Sequence, residues 1–321
     1  MKESLKKIKA FLPQNAALYA IIIFVIVFSS RSAGYLTLDN ATNLFRQASV
    51  FCIITLASFL AILTHQTDLS VGTVASLTSV IVALMIQQGQ PIIVAVLVGY
   101  AVGILFGALN GLLIGFTNIA PFIITFGTMS MAESIGIIIT NANTVPIKNE
   151  SFLQLSKFEI FEFLPVCVLL MFIIYGIAWY VMNKRRFGTA LYAIGGNEEA
   201  AKATGINVKM HKFTVYIING VLATTAGLIL AARVGTTNPS IGVGLEFEGI
   251  CGAVLGGTAL SGGRGSVGGA FLGAMAIAIL KNGFNILGLK SGYQMIAIGS
   301  IIILILVMDA VVAMRKEAQE R

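Results

Sequence analysis

Charged residues are scarce in this sequence: they make up only 11% of its 321 positions, whereas soluble globular chains carry about 25%. Apolar residues account for 57%. This composition excludes an ordinary soluble protein and predicts an all-α, polytopic membrane protein, because helices satisfy their own backbone hydrogen bonds in lipid. Each span needs about 20 residues, so residues 1–321 are expected to form one membrane domain without a separate soluble domain.

Cysteine is equally scarce, and the three cysteines are far apart: Cys52, Cys167 and Cys251. They lie in or beside apolar runs, and neither C-x-x-C nor paired-histidine spacing occurs. We therefore expect small core residues rather than a disulfide or a metal site. The net charge of +7 is carried at the ends of apolar runs, a distribution typical of membrane orientation rather than of nucleic-acid binding.

About ten apolar runs are long enough to suggest transmembrane helices, although some are short. They cover residues 16–32, 44–63, 70–86, 91–115, 119–140, 164–182, 213–232, 247–260, 267–286 and 294–313. Segments on the side of the lysine-rich N-terminus hold fourteen Lys and Arg residues, and those on the other side hold five. The positive-inside rule then predicts that both termini are cytoplasmic. The N-terminus is interpreted as an uncleaved first helix.

Residues 183–212 form a polar island between apolar runs and are expected to be a cytoplasmic loop. Within it, Asn197 is a suitable N-cap for a short helix whose first turn would hold Glu198 and Glu199. Gly205 is a suitable stop. A short helix of this kind gains its stability by docking onto something else.

The fourth apolar run contains five glycines at four-residue spacing: Gly99, Gly103, Gly107, Gly111 and Gly115. Residues at this spacing share one helix face, so the glycines predict a groove for close helix packing. The alternative is that the groove lets the helix slide during transport. Asn110, beside the groove, could hydrogen-bond another helix or contact a transported solute.

Three further residues are candidates for a transport path or gate: Asp68, Ser70 and Glu133. Asp68 or Ser70 could cap a broken helix after the polar interruption at 64–72. Because buried ionisable residues are costly, Asp68 is also a functional candidate. Glu133 lies within a predicted span between Ser130 and Ser134, whose hydroxyls could hydrogen-bond it, and it is a candidate proton site.

The glycine-rich stretch at 256–269 does not match either common nucleotide motif. Gly263, Gly265 and Gly268 have the G-x-G-x-x-G spacing, but no predicted strand precedes them. Position 263 is also glycine where a phosphate-binding loop requires lysine. We expect a tight cytoplasmic turn here. No set of nucleophile, base and metal ligands clusters on one side of the membrane, so an enzyme is not expected.

Four motifs occur in order, at residues 67–72, 192–201 with 204–206, 254–258 with 262–265, and 282–285. From about residue 35 to the end, the chain resembles the permease subunit of monosaccharide ABC importers. The resemblance implies a multi-pass protein of the bacterial inner membrane that forms the path for ribose or a similar sugar. It also implies a homodimer, a cytoplasmic ABC ATPase that binds ATP and Mg²⁺, and an extracytoplasmic sugar-binding protein. The permease itself would hold no cofactor.

In such importers a short cytoplasmic helix of the permease sits in a groove of the ATPase. The residues that match it here are Gly195, Gly196, Asn197, Glu198, Glu199, Ala200, Ala201 and Gly205. An alternative of another class is a stand-alone proton-coupled secondary transporter that uses Asp68 or Glu133. The resemblance does not determine the solute, and branched-chain amino acids and nucleosides stay open.

Overall fold

A computed structural model of the chain describes residues 16–117, 119–160, 164–290, 292–301, 303–304 and 307. The lysines near the N-terminus and the basic residues near the C-terminus, which support the predicted orientation, lie outside the described residues. So does much of the last predicted span, at 294–313.

Helices joined by short connections make up most of the described chain. They are α1 (Ala16–Arg31), α2 (Leu38–Leu63), α3 (Val71–Gln87), α4 (Ile92–Phe116), α5 (Pro121–Thr140), α6 (Glu150–Lys157), α7 (Val166–Lys184), α8 (Arg186–Gly196), α9 (Glu198–Ala203), α10 (Val208–Val234), α11 (Leu245–Leu255) and α12 (Val267–Ile286). Residues 292–301 are also helical. Four two-residue strands form two antiparallel pairs: β1 (Val145–Pro146) with β4 (Thr236–Thr237), and β2 (Glu159–Ile160) with β3 (Leu164–Pro165).

The predicted all-α polytopic architecture is confirmed, but the ten predicted spans are not. Among the described residues, six helices are long and apolar enough to cross a membrane: α2, α4, α5, α7, α10 and α12. Helices α1 and α3 are apolar but shorter. Helix α11, where a span at 247–260 was predicted, has 11 residues. At 1.5 Å per residue it is about 16 Å long and cannot cross alone.

Helices α2 and α10 form the centre of the fold and are buried along most of their length. Helices α4, α5 and α7 lie around them and keep large apolar side chains exposed, including Ile93, Leu97, Leu105, Ile123, Ile138 and Ile177. An apolar outer surface of this kind suits contact with lipid tails.

The five-glycine face of α4 packs mainly against α10, which runs antiparallel to it. A Cβ at Gly111 would lie 2.8 Å from the carbonyl oxygen of Phe213, and one at Gly115 would lie 2.9 Å from that of Lys209. A Cβ at Gly107 would overlap the Tyr216 carbonyl oxygen. The two backbones are thus too close for any side chain between them, as in small-residue packing of membrane helices. Sliding along this groove stays a prediction.

Candidate functional site

The polar segment 183–212 folds as a short helix between two longer ones. Asn197 is the N-cap of α9, and its Oδ1 accepts a hydrogen bond from the Ala200 backbone N–H at 2.9 Å. Gly205 has φ +84°, a left-handed conformation that suits the end of a helix. The predicted cap and stop residues are confirmed. The coupling role of the segment stays a prediction.

The two glutamates of α9 have different surroundings. Glu198 Oε2 accepts a hydrogen bond from Lys212 Nζ at 2.8 Å, and its Oε1 lies 3.1 Å from Lys202 Nζ. Partial burial raises the pKa of Glu198, but the hydrogen bonds from the two lysines outweigh it and leave the pKa below its usual value. The side chain of Glu199 is 83% exposed, and its carboxylate forms a salt bridge with Lys202 at 2.8 Å. Glu198 therefore holds α9 in place, while Glu199 faces outward.

The end of α8 packs against the end of α2 and against the glycine-rich turn. A Cβ at Gly195 would overlap the Leu63 carbonyl oxygen at the end of α2 and the Gly263 backbone nitrogen. The Gly263 N–H donates to that same Leu63 oxygen at 2.9 Å. Only glycine at position 195 permits this three-way backbone contact, which we call the α8 junction and define by Leu63, Gly195 and Gly263. A Cβ added at the neighbouring residue, Gly196, would have no atom within 4 Å.

Two side-chain bonds reinforce the α8 junction. The Nδ1 atom of His65, just after α2, lies 2.8 Å from the carbonyl oxygen of Ser261. The Tyr192 hydroxyl, on α8, donates to the Gly265 carbonyl oxygen at 3.0 Å. Two of the four sequence motifs, those at 192–201 and 262–265, therefore meet at the end of α2. The glycine-rich stretch adopts the predicted tight turn, and its partners are the end of α2 and α8.

The candidate path residues Asp68 and Ser70 lie together in the buried, non-helical segment between α2 and α3. Asp68 Oδ1 accepts hydrogen bonds from the Ser70 N–H at 3.0 Å and the Ser70 hydroxyl at 2.7 Å. Asp68 Oδ2 accepts one from Asn219 Nδ2, on α10, at 3.0 Å. The prediction that Asp68 or Ser70 caps α3 was only partly right: Ser70 is the N-cap residue, but its side chain makes no cap bond.

Asn110 extends this network to two more helices. Its Nδ2 donates to the Ser70 hydroxyl oxygen at 2.9 Å, and its Oδ1 accepts from the Thr128 hydroxyl at 2.7 Å. The five side chains Asp68, Ser70, Asn110, Thr128 and Asn219 are all at most 3% exposed. They join the broken segment to α4, α5 and α10. Irregular backbone is tolerated in a membrane protein when protein buries it in this way.

Glu133 does not join the network of Asp68. Its Oε1 accepts a hydrogen bond from the Ser240 hydroxyl at 3.3 Å. The expected bond from Ser130 was wrong, because the Ser130 hydroxyl donates to the Phe126 carbonyl oxygen of its own helix at 3.1 Å. The structure thus separates the two acids that the sequence grouped as proton-site candidates.

Sequence reasoning missed Glu246 in the first turn of α11, which is 0% exposed and the least exposed acid among the described residues. Its Oε1 accepts from the Gly244 N–H at 3.0 Å, and its Oε2 packs on Gly72 in the first turn of α3. The Gly242 N–H donates to the Ser76 hydroxyl oxygen at 2.8 Å beside it. The N-terminal ends of two short helices therefore meet in the core, an arrangement that transporters with discontinuous helices use at their solute paths.

The three cysteines are free and buried. Within the described ranges, no group of three or more His, Cys, Asp or Glu side chains could hold a metal ion.

The fold and these sites define a polytopic membrane permease, and comparison with known proteins gives its family. Residues 40–306 match the family described as branched-chain amino acid transport system / permease component. The chain belongs to this family. No solved structure matches it.

Curated relatives cover almost the whole chain. The D-allose transport system permease protein of Escherichia coli (strain K12) is 35% identical over 305 residues, covering 94% of this chain and 93% of the relative. The ribose import permease protein of the same organism is 34% identical, covering 94% and 95%. The ribose import permease protein of Bacillus subtilis (strain 168) is 36% identical, covering 90% of each chain. The resemblance to permeases of sugar ABC importers is thereby confirmed, and the chain is a multi-pass transport subunit of the bacterial cytoplasmic membrane.

Proposed function

We propose that this chain is the membrane half of an ATP-driven importer of a monosaccharide such as ribose or allose. The support is the near full-length similarity to permeases named for these two sugars. The stand-alone proton-coupled alternative is not supported, since these relatives are transport-system and import permease proteins. Asp68 in addition is engaged by hydrogen bonds to Ser70 and Asn219.

The partners follow from the family. A cytoplasmic ATPase binds ATP and Mg²⁺ and hydrolyses the nucleotide, because the sequence offers no phosphate-binding loop of its own. A second copy of the permease completes the path, and an extracytoplasmic binding protein delivers the sugar. Segment 183–212 and both termini lie in the cytoplasm, in agreement with the distribution of Lys and Arg.

The single observation that carries the coupling proposal is the α8 junction. Helix α9 follows α8 directly and presents Glu199 to solvent, where a partner groove can reach it. A displacement of α8 toward the end of α2 presses Gly195 on the Leu63 carbonyl and on Gly263 in the glycine turn. Packed backbones transmit such a displacement because they cannot be compressed. Closure of an ATPase on α9 would thus reach the central helix α2 and the turn before α12.

Reconstitution tests the function. The chain is placed in vesicles with its partner ATPase, and uptake of radiolabelled D-ribose, D-allose and L-leucine is measured with loaded binding protein outside and ATP inside. We expect ATP-dependent uptake of a sugar and none from a proton gradient in vesicles that lack the ATPase. Gradient-driven sugar uptake without the ATPase would contradict the proposal. Uptake of leucine but of neither sugar would contradict the substrate class.

A further inference from the structure

A polar pocket lies at the end of the bundle opposite the segment 183–212. Its lining residues are on α2, α10 and α12, and all but Ile286 are polar: Asn40, Asn43, Arg46, Gln47, Arg233, Asn282 and Asn285. The fourth sequence motif, at 282–285, contributes to this wall, so it lies apart from the other three motifs.

The position of the pocket follows from the direction of its three helices. Helix α2 has the pocket at its first turns and the α8 junction at its last residue, Leu63. Helix α10 starts beside α9 and carries Arg233 in its last turn. Helix α12 starts just after the glycine turn and carries Asn285 near its end. With the coupling segment in the cytoplasm, the pocket faces the outside.

The size and chemistry of the pocket suit a small polyol. Its volume of about 330 Å³ is at the low end of ligand sites, which span about 300 to 1,000 Å³. Amide side chains both donate and accept hydrogen bonds, as sugar hydroxyls do. An apolar solute would match this lining poorly.

Part of the lining is already satisfied internally. Asn40 and Asn282 form a reciprocal pair, with Nδ2 to Oδ1 distances of 3.2 Å and 2.9 Å. Arg46 forms a salt bridge with Glu159, which neutralises its charge. These contacts fix the walls of the pocket and leave it with less positive charge than two arginines suggest.

Two other side chains have unused hydrogen-bonding capacity. Gln47 is only 8% exposed, and its amide makes no hydrogen bond to another residue in the part of the chain that the structure describes. Over the same described ranges, the guanidinium of Arg233 also makes none, and its Nε is buried. A buried donor without a partner is unfavourable, so Arg233 Nε gains from a ligand that supplies a hydroxyl. The Gln47 amide lines the pocket and can bond the same ligand.

We propose that this pocket is an outward-facing sugar subsite in which Gln47 and Arg233 hydrogen-bond the hydroxyls of the incoming monosaccharide. The Asn40–Asn282 pair ties α12 to α2, the helix that carries Gln47. The inference rests on the proposed function and deepens it. The permease itself then selects among sugars after their delivery, in addition to the binding protein.

The test uses Gln47→Met, which keeps the side-chain length and removes the amide. Gln90→Met is the matched control, because Gln90 is exposed on the same end of the bundle and outside the pocket. Both variants are reconstituted with the partner ATPase and loaded binding protein, and uptake of D-ribose and D-allose is measured together with the ATPase activity that the loaded binding protein stimulates.

We expect Gln47→Met to lower uptake of the better sugar about fivefold, the effect of one neutral hydrogen bond, and to change the ribose-to-allose ratio. Stimulated ATPase activity should match that of Gln90→Met. Equal uptake and an equal ratio in the two variants would overturn the subsite while leaving the importer function intact. Loss of ATPase stimulation in Gln47→Met alone would also overturn it, because the pocket would then dock the binding protein. No ATP-dependent sugar uptake by the wild-type chain would overturn the proposed function and the subsite together.

Discussion

The Glu198 carboxylate accepts a hydrogen bond from Lys212 Nζ at 2.8 Å, which ties α9 to the first turns of α10. Its neighbour Glu199 points away, with a side chain 83% exposed. Replacing both glutamates with lysine would therefore mix two effects: loss of the anchor of α9 and loss of an outward charge. The two positions have to be tested separately.

The Glu198 anchor predicts how α9 responds to pH. The pKa of Glu198 is lowered in the folded protein, so its contribution is present above the pKa of the unfolded chain and is lost as pH falls through the folded pKa. Amide protection in α9, corrected for intrinsic exchange rates, should stay constant between about pH 6 and 8 and fall only below about pH 4.5. Lys212→Met should weaken this pH dependence, because only Lys202 then remains beside Glu198. Protection that changes between about pH 6 and 8 in the wild type would contradict the anchor.

The α8 junction predicts opposite outcomes for two adjacent glycines. Gly195→Ala introduces a Cβ onto the Leu63 carbonyl and Gly263, and this should abolish coupled uptake or lower the thermal midpoint, since overpacking costs about 1 to 3 kcal/mol. Gly196→Ala meets no atom within 4 Å and should leave both properties unchanged. The two variants are compared by their thermal unfolding midpoints in detergent and by their uptake in vesicles. Equal behaviour of the two variants would exclude a tight contact at the junction.

The glycine face of α4 predicts a stability difference. Gly107→Ala should destabilise the fold by about 1 to 3 kcal/mol, because its Cβ would overlap the Tyr216 carbonyl on α10. Gly176→Ala, in α7, has nothing within 4 Å and should be neutral or slightly stabilising. The midpoints of thermal unfolding compare the two directly. A tolerated Gly107→Ala would show that α4 and α10 separate more easily than their packing indicates.

The hydrogen bonds of Asp68 predict that Asp68→Asn is tolerated and that Asp68→Leu is not. Asp68→Asn keeps an acceptor for Ser70, and its new N–H₂ group can donate to Asn219 Oδ1, which is buried without a partner among the described residues. We expect ATP-dependent uptake within about twofold of wild type, since no net hydrogen bond is lost. Asp68→Leu removes the acceptor of the Ser70 N–H, the Ser70 hydroxyl and Asn219 Nδ2, and it should unfold or inactivate the protein. Complete loss of uptake in Asp68→Asn would support a protonating role instead.

The sequence predicts the local features well because they depend on neighbouring residues. The Asn197 cap, the Gly205 stop and the shared face of Gly103 and Gly107 all follow from spacing along one helix. The resemblance adds the family, which is confirmed over residues 40–306.

Long-range contacts could not be predicted in this way. Glu246 is buried because the chain returns to place it on Gly72, far away in the sequence. Asn219 is one of the few polar residues inside apolar α10, a signal that could have marked it as a partner of Asp68. The short α11 was read as a span because hydropathy alone does not show where a helix starts, and Gly244 with φ +95° begins it inside the core.

The most direct test of the account is a cross-linking measurement at position 199. The native cysteines are buried, so Glu199→Cys provides an accessible thiol for a photoreactive maleimide, and Glu150→Cys, on the exposed N-terminal turn of α6, is the control. In membranes that contain the whole importer, irradiation should join residue 199 to the ATPase and leave residue 150 unlinked to it. Cross-links to the ATPase from position 150, or none from position 199, would contradict the coupling site and the orientation of the chain.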